Sequence, residues 1–198
     1  MMSCGIWHLT TAPTVNMIPQ IQTPQGKLLD LKEHIRDIQD FPVPGVLFRD
    51  ITPLLQNPPA FQYVVDRLCE RYDDQSIDVV MGIEARGFLI GAPMAYQLDK
   101  PFVPLRKEGR LPYETRSLQY ALEYGENVIE VHTDAVSQGQ RVVITDDLLA
   151  TGGTMAAGAK LVEEMGGVVA GLAVIIELPD LDGRERLSGY DVFSLMQY

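Results

Sequence analysis

The chain has 198 residues and a mass of 22.0 kDa, the size of one domain and too small for a multidomain assembly. With 46% hydrophobic and 22% charged residues it has the composition of a chain that buries a sizeable core and folds alone, which excludes a disordered segment. Sixteen Lys and Arg stand against 27 Asp and Glu, and the formal charge of -11 excludes a protein whose main task is to coat nucleic acid or an anionic membrane, while leaving room for a local basic pocket.

The longest apolar run, residues 166–176, has 11 residues, and a helix needs about 20 to cross a bilayer, so no membrane span is expected. Residues 1–26 contain no Asp, Glu, Lys or Arg. Without a basic leading region or arginines they read as neither a secretory signal nor a transit peptide, and we expect a loosely ordered N-terminal arm followed by a single domain over residues 27–198. Cys4 falls in that arm and Cys69 on a helical face, which suggests neither a disulfide framework nor a zinc site; a reducing cytoplasm is the expected location.

Leu28, Leu31, Ile35 and Ile38 recur at helical spacing and predict a helix that stops at Phe41-Pro42, since Pro42 and Pro44 forbid its continuation. The next stretch, FPVPGVLFRDITPLL, reads as a loop rich in turn residues. Asn57 then caps a helix with Pro58 at its first position and an apolar stripe of Phe61, Val64, Val65, Leu68, Cys69 and Tyr72. Residues 78–84 form a buried-strand run that breaks at Glu84-Ala85-Arg86-Gly87 and gives way to a helix over 88–98. Further strands are expected at 101–105, 141–145, 168–178 and 191–195, with a helix at 153–165 ended by Gly166-Gly167. Residues 118–133 alternate polar and apolar around Gly125, the pattern of an antiparallel flap. Continuous apolar strands separated by helices imply an α/β fold, a twisted, mostly parallel central sheet flanked by helices. Ligands bind such sheets beyond the carboxyl ends of the strands, which singles out the loops at 84–87, 106–117 and 146–154.

The most informative segment is VVITDDLLATGGT, residues 142–154. A buried strand delivers Asp146 and Asp147, and a short loop then ends in Thr-Gly-Gly-Thr at the start of a helix. The helix N-terminus leaves backbone amides unpaired and carries a partial positive charge, and Gly152 and Gly153 let a ligand approach those amides closely. Thr151 and Thr154 add hydroxyl donors, while Asp146 and Asp147 stand where they can accept from sugar hydroxyls or approach a hydrated Mg²⁺ ion. A phosphate beside a ribose suits this layout. Other nucleotide motifs fail: the chain has no GxxxxGK[ST], and no GxGxxG follows a strand, so ATPase and dehydrogenase readings drop. His8, His34 and His132 share no metal-ligand spacing.

These residues resemble the signature of the type I phosphoribosyltransferases, apolar residues followed by two acids and a small-Thr-Gly-Gly-Thr loop, and within that family the adenine-using members. The resemblance covers about Asp40 to Tyr198 and extends to FPVPGVLFRDITPLL, GIEARGF, RKEGRLP, LEYG and GRERL before FSLMQY. Thr145 departs from it in the last apolar place of the signature, as do Tyr113-Glu114 after Leu-Pro. The family's fold adds to the sheet a small hood, here about residues 27–55 plus the C-terminal segment, and a flexible flap. The reaction implied is adenine plus 5-phosphoribosyl-1-diphosphate giving AMP and diphosphate with Mg²⁺, the ion held mainly by the substrate and near Asp146, in a homodimer.

By the same resemblance Asp146, Asp147, Ala150, Thr151, Gly152, Gly153 and Thr154 hold the ribose and its 5'-phosphate. Glu84, Ala85 and Arg86 form the diphosphate loop, with a cis bond expected at Glu84-Ala85, and Arg106, Lys107 and Arg110 clamp the same group. Glu123 is expected to do general acid/base work at the purine ring, under a lid whose shielding would raise its pKa, with Tyr124 covering the site. Leu47, Phe48, Arg49 and Leu178 would form the adenine slot. Arg86 and Asp147 join Glu123 as the expected catalytic residues. A sugar-diphosphate-sensing regulator of nucleic acid would need an added DNA-binding domain or a basic face, and the sequence supplies neither. Guanine-type and orotate-type relatives carry different hood sequences. The -11 charge is no obstacle to an anionic substrate, because residues 100–116 carry five basic side chains against two acidic ones.

Overall fold

A computed structural model describes residues 29–121 and 126–198. Its first long helix shows how closely local chemistry sets a boundary: Asn57 caps it, its side-chain oxygen accepting from the Ala60 amide at 3.1 Å, and Pro58 opens the first turn of a helix running Pro58–Tyr72. The buried stripe comprises Ala60, Tyr63, Val64, Val65, Leu68, Cys69 and Tyr72. Phe61, expected in that stripe, is only half-buried.

In chain order the strands are β1 Arg36–Gln39, β2 Leu47–Asp50, β3 Val79–Ile83, β4 Phe102–Lys107, β5 Thr115–Ala121, β6 Glu126–His132, β7 Arg141–Leu149, β8 Val168–Glu177 and β9 Val192–Gln197. The helices are α1 Thr52–Leu55, α2 Pro58–Tyr72, α3 Arg86–Gln97, α4 Gly153–Glu164 and α5 Gly183–Arg186. Residues Leu31–Tyr198 make one compact unit. Its main sheet has seven strands in the order β5-β6-β4-β3-β7-β8-β9. From β4 to β9 every neighbour is parallel, and β6 runs antiparallel to both β4 and β5, the expected flap. The tip of that flap, with Glu123 and Tyr124, lies outside the described residues.

The central strands are covered on both faces, so they read as unbroken apolar runs: all five residues of β3 are buried. Alternation along β7 assigns the faces. Ile144 packs under α4, against Gly158, while Thr145 packs under α3, against Gly91. Each fully buried Leu, Ile or Val contributes about 1.5–3 kcal/mol, and the buried set on β3, β7, β8 and α4 supplies most of the driving force for this arrangement.

One expectation is overturned. Of the helix expected from Leu28 to Ile38, the described residues 29–38 do not form one: Leu31–His34 is a single 3-10 turn, and Arg36–Gln39 pairs with Leu47–Asp50 as an antiparallel hairpin in which Ile38 faces Phe48. The spacing of Leu31, Ile35 and Ile38 fits a helix, but the chain reverses through Asp40, which adopts a left-handed φ of 56°, and the cis Phe41-Pro42 bond. Asp40 accepts the Gly45 amide at 2.7 Å, and the ring of Phe41 meets Phe48 edge-on at 5.0 Å. The segment expected as a loop thus contains β2 and α1. Pairing between distant backbones outweighed a weak local periodicity.

Candidate active site

The carboxyl ends of β3, β4 and β7 converge, and the loops that leave them carry the polar residues singled out by the sequence. β7 extends four residues past the expected end at Thr145, so Asp146 and Asp147 belong to the strand. Their side chains diverge because the strand alternates. Asp147 is 2% exposed and its carboxylate is paired with the Nε of Arg86, at the start of α3. Burial works against the Arg86 charge, but the hydrogen bond and the charge of Asp147 outweigh it and hold the guanidinium's pKa above its usual value. Asp146 is half-buried, and its Oδ1 accepts the Asp147 amide at 2.9 Å. Desolvation, then the neighbouring Asp147 charge, push its carboxyl well above the ordinary range, against the pull of Arg86.

After β7 the chain turns through Ala150, Thr151 and Gly152 into α4. Gly152 has a φ of 76°, and a Cβ there would lie 2.7 Å from the carbonyl oxygen of Gly183, so both dihedral and space require glycine. The loop and the first turn of α4 enclose a cavity of about 90 Å³ lined by Asp146 and residues 148–155. A second cavity of about 180 Å³ adjoins it, bounded by Glu84, Arg106 and Lys107 on one side and Tyr120 and Asn127 of the flap on the other. Asp146 and Thr154 line both. Tyr120 and Thr154 share a hydroxyl hydrogen bond of 3.0 Å, which ties the flap to the start of α4.

The loop after β3 has the expected cis bond at Glu84-Ala85. It sits directly on β7: a Cβ at Gly87 would lie 2.5 Å from the Thr145 carbonyl oxygen. The Thr145 hydroxyl lies 3.2 Å from the Met81 carbonyl and 3.3 Å from that of Gly87. The residue that departed from the family signature is therefore the donor that fastens the loop carrying Arg86.

Glu84 gathers the basic residues. Its carboxylate accepts from Arg106 at 3.1 and 3.3 Å, from Arg110 at 3.0 Å and from the Lys107 amide at 3.1 Å. Burial raises its pKa, but these hydrogen bonds and the two guanidinium charges bring it below the ordinary carboxylate value. Sequence reasoning grouped Glu84 with these cations as ligands of one anion and did not foresee that it would be their counter-charge. It missed Glu130 altogether. On a flap strand with Ile129 and Val131 buried, alternation reads Glu130 as exposed, yet it is 4% exposed because the 109–111 turn folds over it. Its Oε1 accepts the Arg110 and Leu111 amides at 3.0 and 3.1 Å, which shapes the loop that presents Arg110. Burial raises the Glu130 pKa, and these amides more than reverse the effect.

The expected adenine-slot residues are not gathered on one face. Phe48 lies under Arg86, its ring centre 5.4 Å from the guanidinium carbon. Arg49, next on β2, turns the other way, bonds Asp37 and stacks on Tyr198 at 4.0 Å. Leu47 is half-buried on the Arg49 side of the strand. Leu178 follows β8, half-buried, with its amide on the Leu149 carbonyl at 2.9 Å.

Comparison with known proteins agrees with this geometry. Residues 51–196 match the family model of the phosphoribosyl transferase domain. The chain is similar to the adenine phosphoribosyltransferase of Clostridium botulinum (strain Loch Maree / Type A3), 52% identical over 86% of this chain and 99% of that relative. It is also similar to the enzyme of the same name from Roseiflexus castenholzii, 54% identical over the same shares. Among solved structures, the adenine phosphoribosyltransferase of Thermoanaerobacter pseudethanolicus superimposes with a TM-score of 0.83 at 52% identity, covering 85% of this chain and 98% of that one. The Saccharomyces cerevisiae enzyme, solved with an imino-altritol bisphosphate and adenine, does so with 0.79 at 38% identity, covering 84% and 96%. The chain therefore belongs to the phosphoribosyl transferase family and, within it, to the adenine phosphoribosyltransferases.

Proposed function

We propose that the chain transfers the 5-phosphoribosyl group of 5-phosphoribosyl-1-diphosphate to adenine, giving AMP and diphosphate, with the residues of the two joined cavities in the roles below. The observation that carries this reading is the shared wall at Asp146 and Thr154: a cradle of loop amides on one side and a basic cluster on the other, as a sugar with a phosphate at each end requires.

The amides of residues 151–154 and the hydroxyls of Thr151 and Thr154 hold the 5'-phosphate, with Gly152 and Gly153 keeping the approach open. Asp146 and Asp147 serve the ribose, Asp146 by accepting from its hydroxyls and Asp147 chiefly by fixing Arg86. In the transfer the bond from the anomeric carbon to the diphosphate oxygen breaks, its electron pair leaves with diphosphate, and a bond to an adenine nitrogen forms. Positive charge builds on the sugar and negative charge on the leaving group. Arg86, Arg106, Lys107 and Arg110, with the amides of the 84–87 loop, oppose that negative charge. Glu84 holds two of these arginines until diphosphate takes its place. Glu123, outside the described residues, is assigned the purine proton.

Among the described residues no cluster of three or more His, Cys, Asp or Glu could cage a metal. Mg²⁺ keeps waters and substrate oxygens and takes one or two carboxylates, and Asp146, which lines both cavities, is the carboxylate that would approach it. Bound there, the ion would neutralise the diphosphate. Phe48 and Leu178 flank the base, and the stacking of Tyr198 on Arg49 and, at 4.7 Å, under Lys32 supports a hood built from the β1–β2 hairpin and the C-terminal segment. A homodimer is supported by the apolar outer face of α3, where Leu89 is 48% and Tyr96 90% exposed. No helix of the described residues is long and apolar enough to cross a membrane; we assign the enzyme to the cytoplasm.

The deciding assay offers each free nucleobase with 5-phosphoribosyl-1-diphosphate and Mg²⁺ and measures diphosphate release. Adenine alone should support turnover, and none with adenine would refute the reading.

A further inference from the structure

The GRERL motif has no partner in the reaction, yet it lies against the site. Glu177, the last residue of β8, is 3% exposed and accepts the Arg184 guanidinium through both oxygens, each at 2.7 Å. Ser194 on β9 donates to the same carboxylate at 2.6 Å and Gln197 at 3.2 Å, and Arg184 also reaches the Val192 carbonyl at 2.9 Å. The fork-to-fork geometry closes residues 178–184 into a ring whose base is the end of the sheet. That ring touches the phosphate loop without a side chain between them: a Cβ at Gly183 would lie 2.1 Å from the Ala150 carbonyl oxygen. The Leu178 amide holds the Leu149 carbonyl one residue upstream.

We propose that Glu177, Arg184 and Gly183 form a clasp that positions Leu178 and the phosphate loop as one body, so that the floor of the base slot and the seat of the 5'-phosphate keep a fixed separation. None of the three is a catalytic residue; each acts through Leu178 or Ala150–Gly152. The functional need is geometric. Transfer requires the base nitrogen and the anomeric carbon to meet at about 3–3.5 Å, and the two substrates are held by different strands, β8 and β7. A clasp between those strand ends fixes the distance more directly than the sheet alone, and its tight backbone approach leaves no slack. The inference rests on the assignment of residues 150–154 to phosphate and of Leu178 to the base.

The test compares Arg184→Ala, Arg184→Lys and Gly183→Ala with the unaltered full-length chain. Arg184→Ala, which frees Leu178 to shift relative to the phosphate loop, should lower kcat by roughly tenfold or more with KM for each substrate within about threefold, and Arg184→Lys, which keeps charge but loses the fork, should recover only part of that. Gly183→Ala, whose methyl pushes on Ala150, should weaken ribose 5-phosphate binding by about tenfold or more in isothermal titration without adenine. Thermal melts give the folded fraction of each variant. Folded Arg184 variants with unchanged kcat or with losses confined to KM, or a folded Gly183→Ala with unchanged ribose 5-phosphate affinity, would overturn the clasp. If Gly183→Ala does not fold, the two Arg184 variants decide. If the unaltered chain binds ribose 5-phosphate but does not turn over adenine, the proposed activity fails while titration still judges the clasp.

Discussion

Glu177→Gln is the perturbation whose size the structure fixes best. Hydrogen bonds from Arg184 come first, followed by the donors on Ser194 and Gln197, and they carry the carboxyl from an ordinary 4.5 down to about 2 even though burial acts the other way. The folded state therefore holds the ionised form more tightly than the unfolded chain does. Its contribution is fully present above the unfolded value and is lost as pH falls from there through the folded value. The gap between the two values corresponds to about 3 kcal/mol. Glutamine keeps one acceptor but sets an amide donor against the guanidinium, so at pH 7 the variant should be less stable by about that amount, a drop of roughly 6–12 °C in Tm for a unit of this size. Because every other carboxyl titrates equally in the two proteins, their difference isolates this one. Between pH 7 and pH 3 it should shrink by about 2 kcal/mol. Thermal unfolding followed by circular dichroism at pH 7, 5, 4 and 3 measures it. Equal melting at pH 7, or a difference that stays constant down to pH 3, would refute the reasoning.

Thr145→Val removes the hydroxyl that fastens the 84–87 loop and should cost about 1 kcal/mol, with a several-fold rise in KM for the sugar diphosphate; an unchanged melt would show that the hydroxyl contributes nothing. Glu84→Gln takes away the counter-charge of Arg106 and Arg110, so inorganic diphosphate should bind about three- to tenfold more tightly by titration calorimetry, and weaker binding would mean that Glu84 acts by orienting the arginines. Asp147→Asn and Glu123→Gln should each cut AMP formation by roughly tenfold or more, the latter with sugar-diphosphate affinity nearly intact. Full activity in the Glu123 variant would remove it from the catalytic set.

Local chemistry in the sequence determined much of this protein. The cap at Asn57, the apolar runs of β3, β7 and β8, and the diacid followed by Thr-Gly-Gly-Thr each dictate their structure through nearest neighbours, and together they point to a parallel sheet with a phosphate loop at the carboxyl ends of its strands. The hairpin at residues 36–50 was not legible, because its pairing joins residues eight or more apart and the local spacing favoured a helix. The side-chain directions within the site were equally hidden. Whether Glu84 would bind a ligand or restrain Arg106 and Arg110, whether Glu130 would be solvated or buried under a turn, and whether Thr145 was a flaw in an apolar run or a fastening for its neighbour all depend on which loop lies across which strand. A sequence states which groups are available to be charged, capped or buried. Only tertiary structure decides their partners, because a carboxylate's role follows from the donors brought within about 3 Å of it, and those come from strands far apart in the chain.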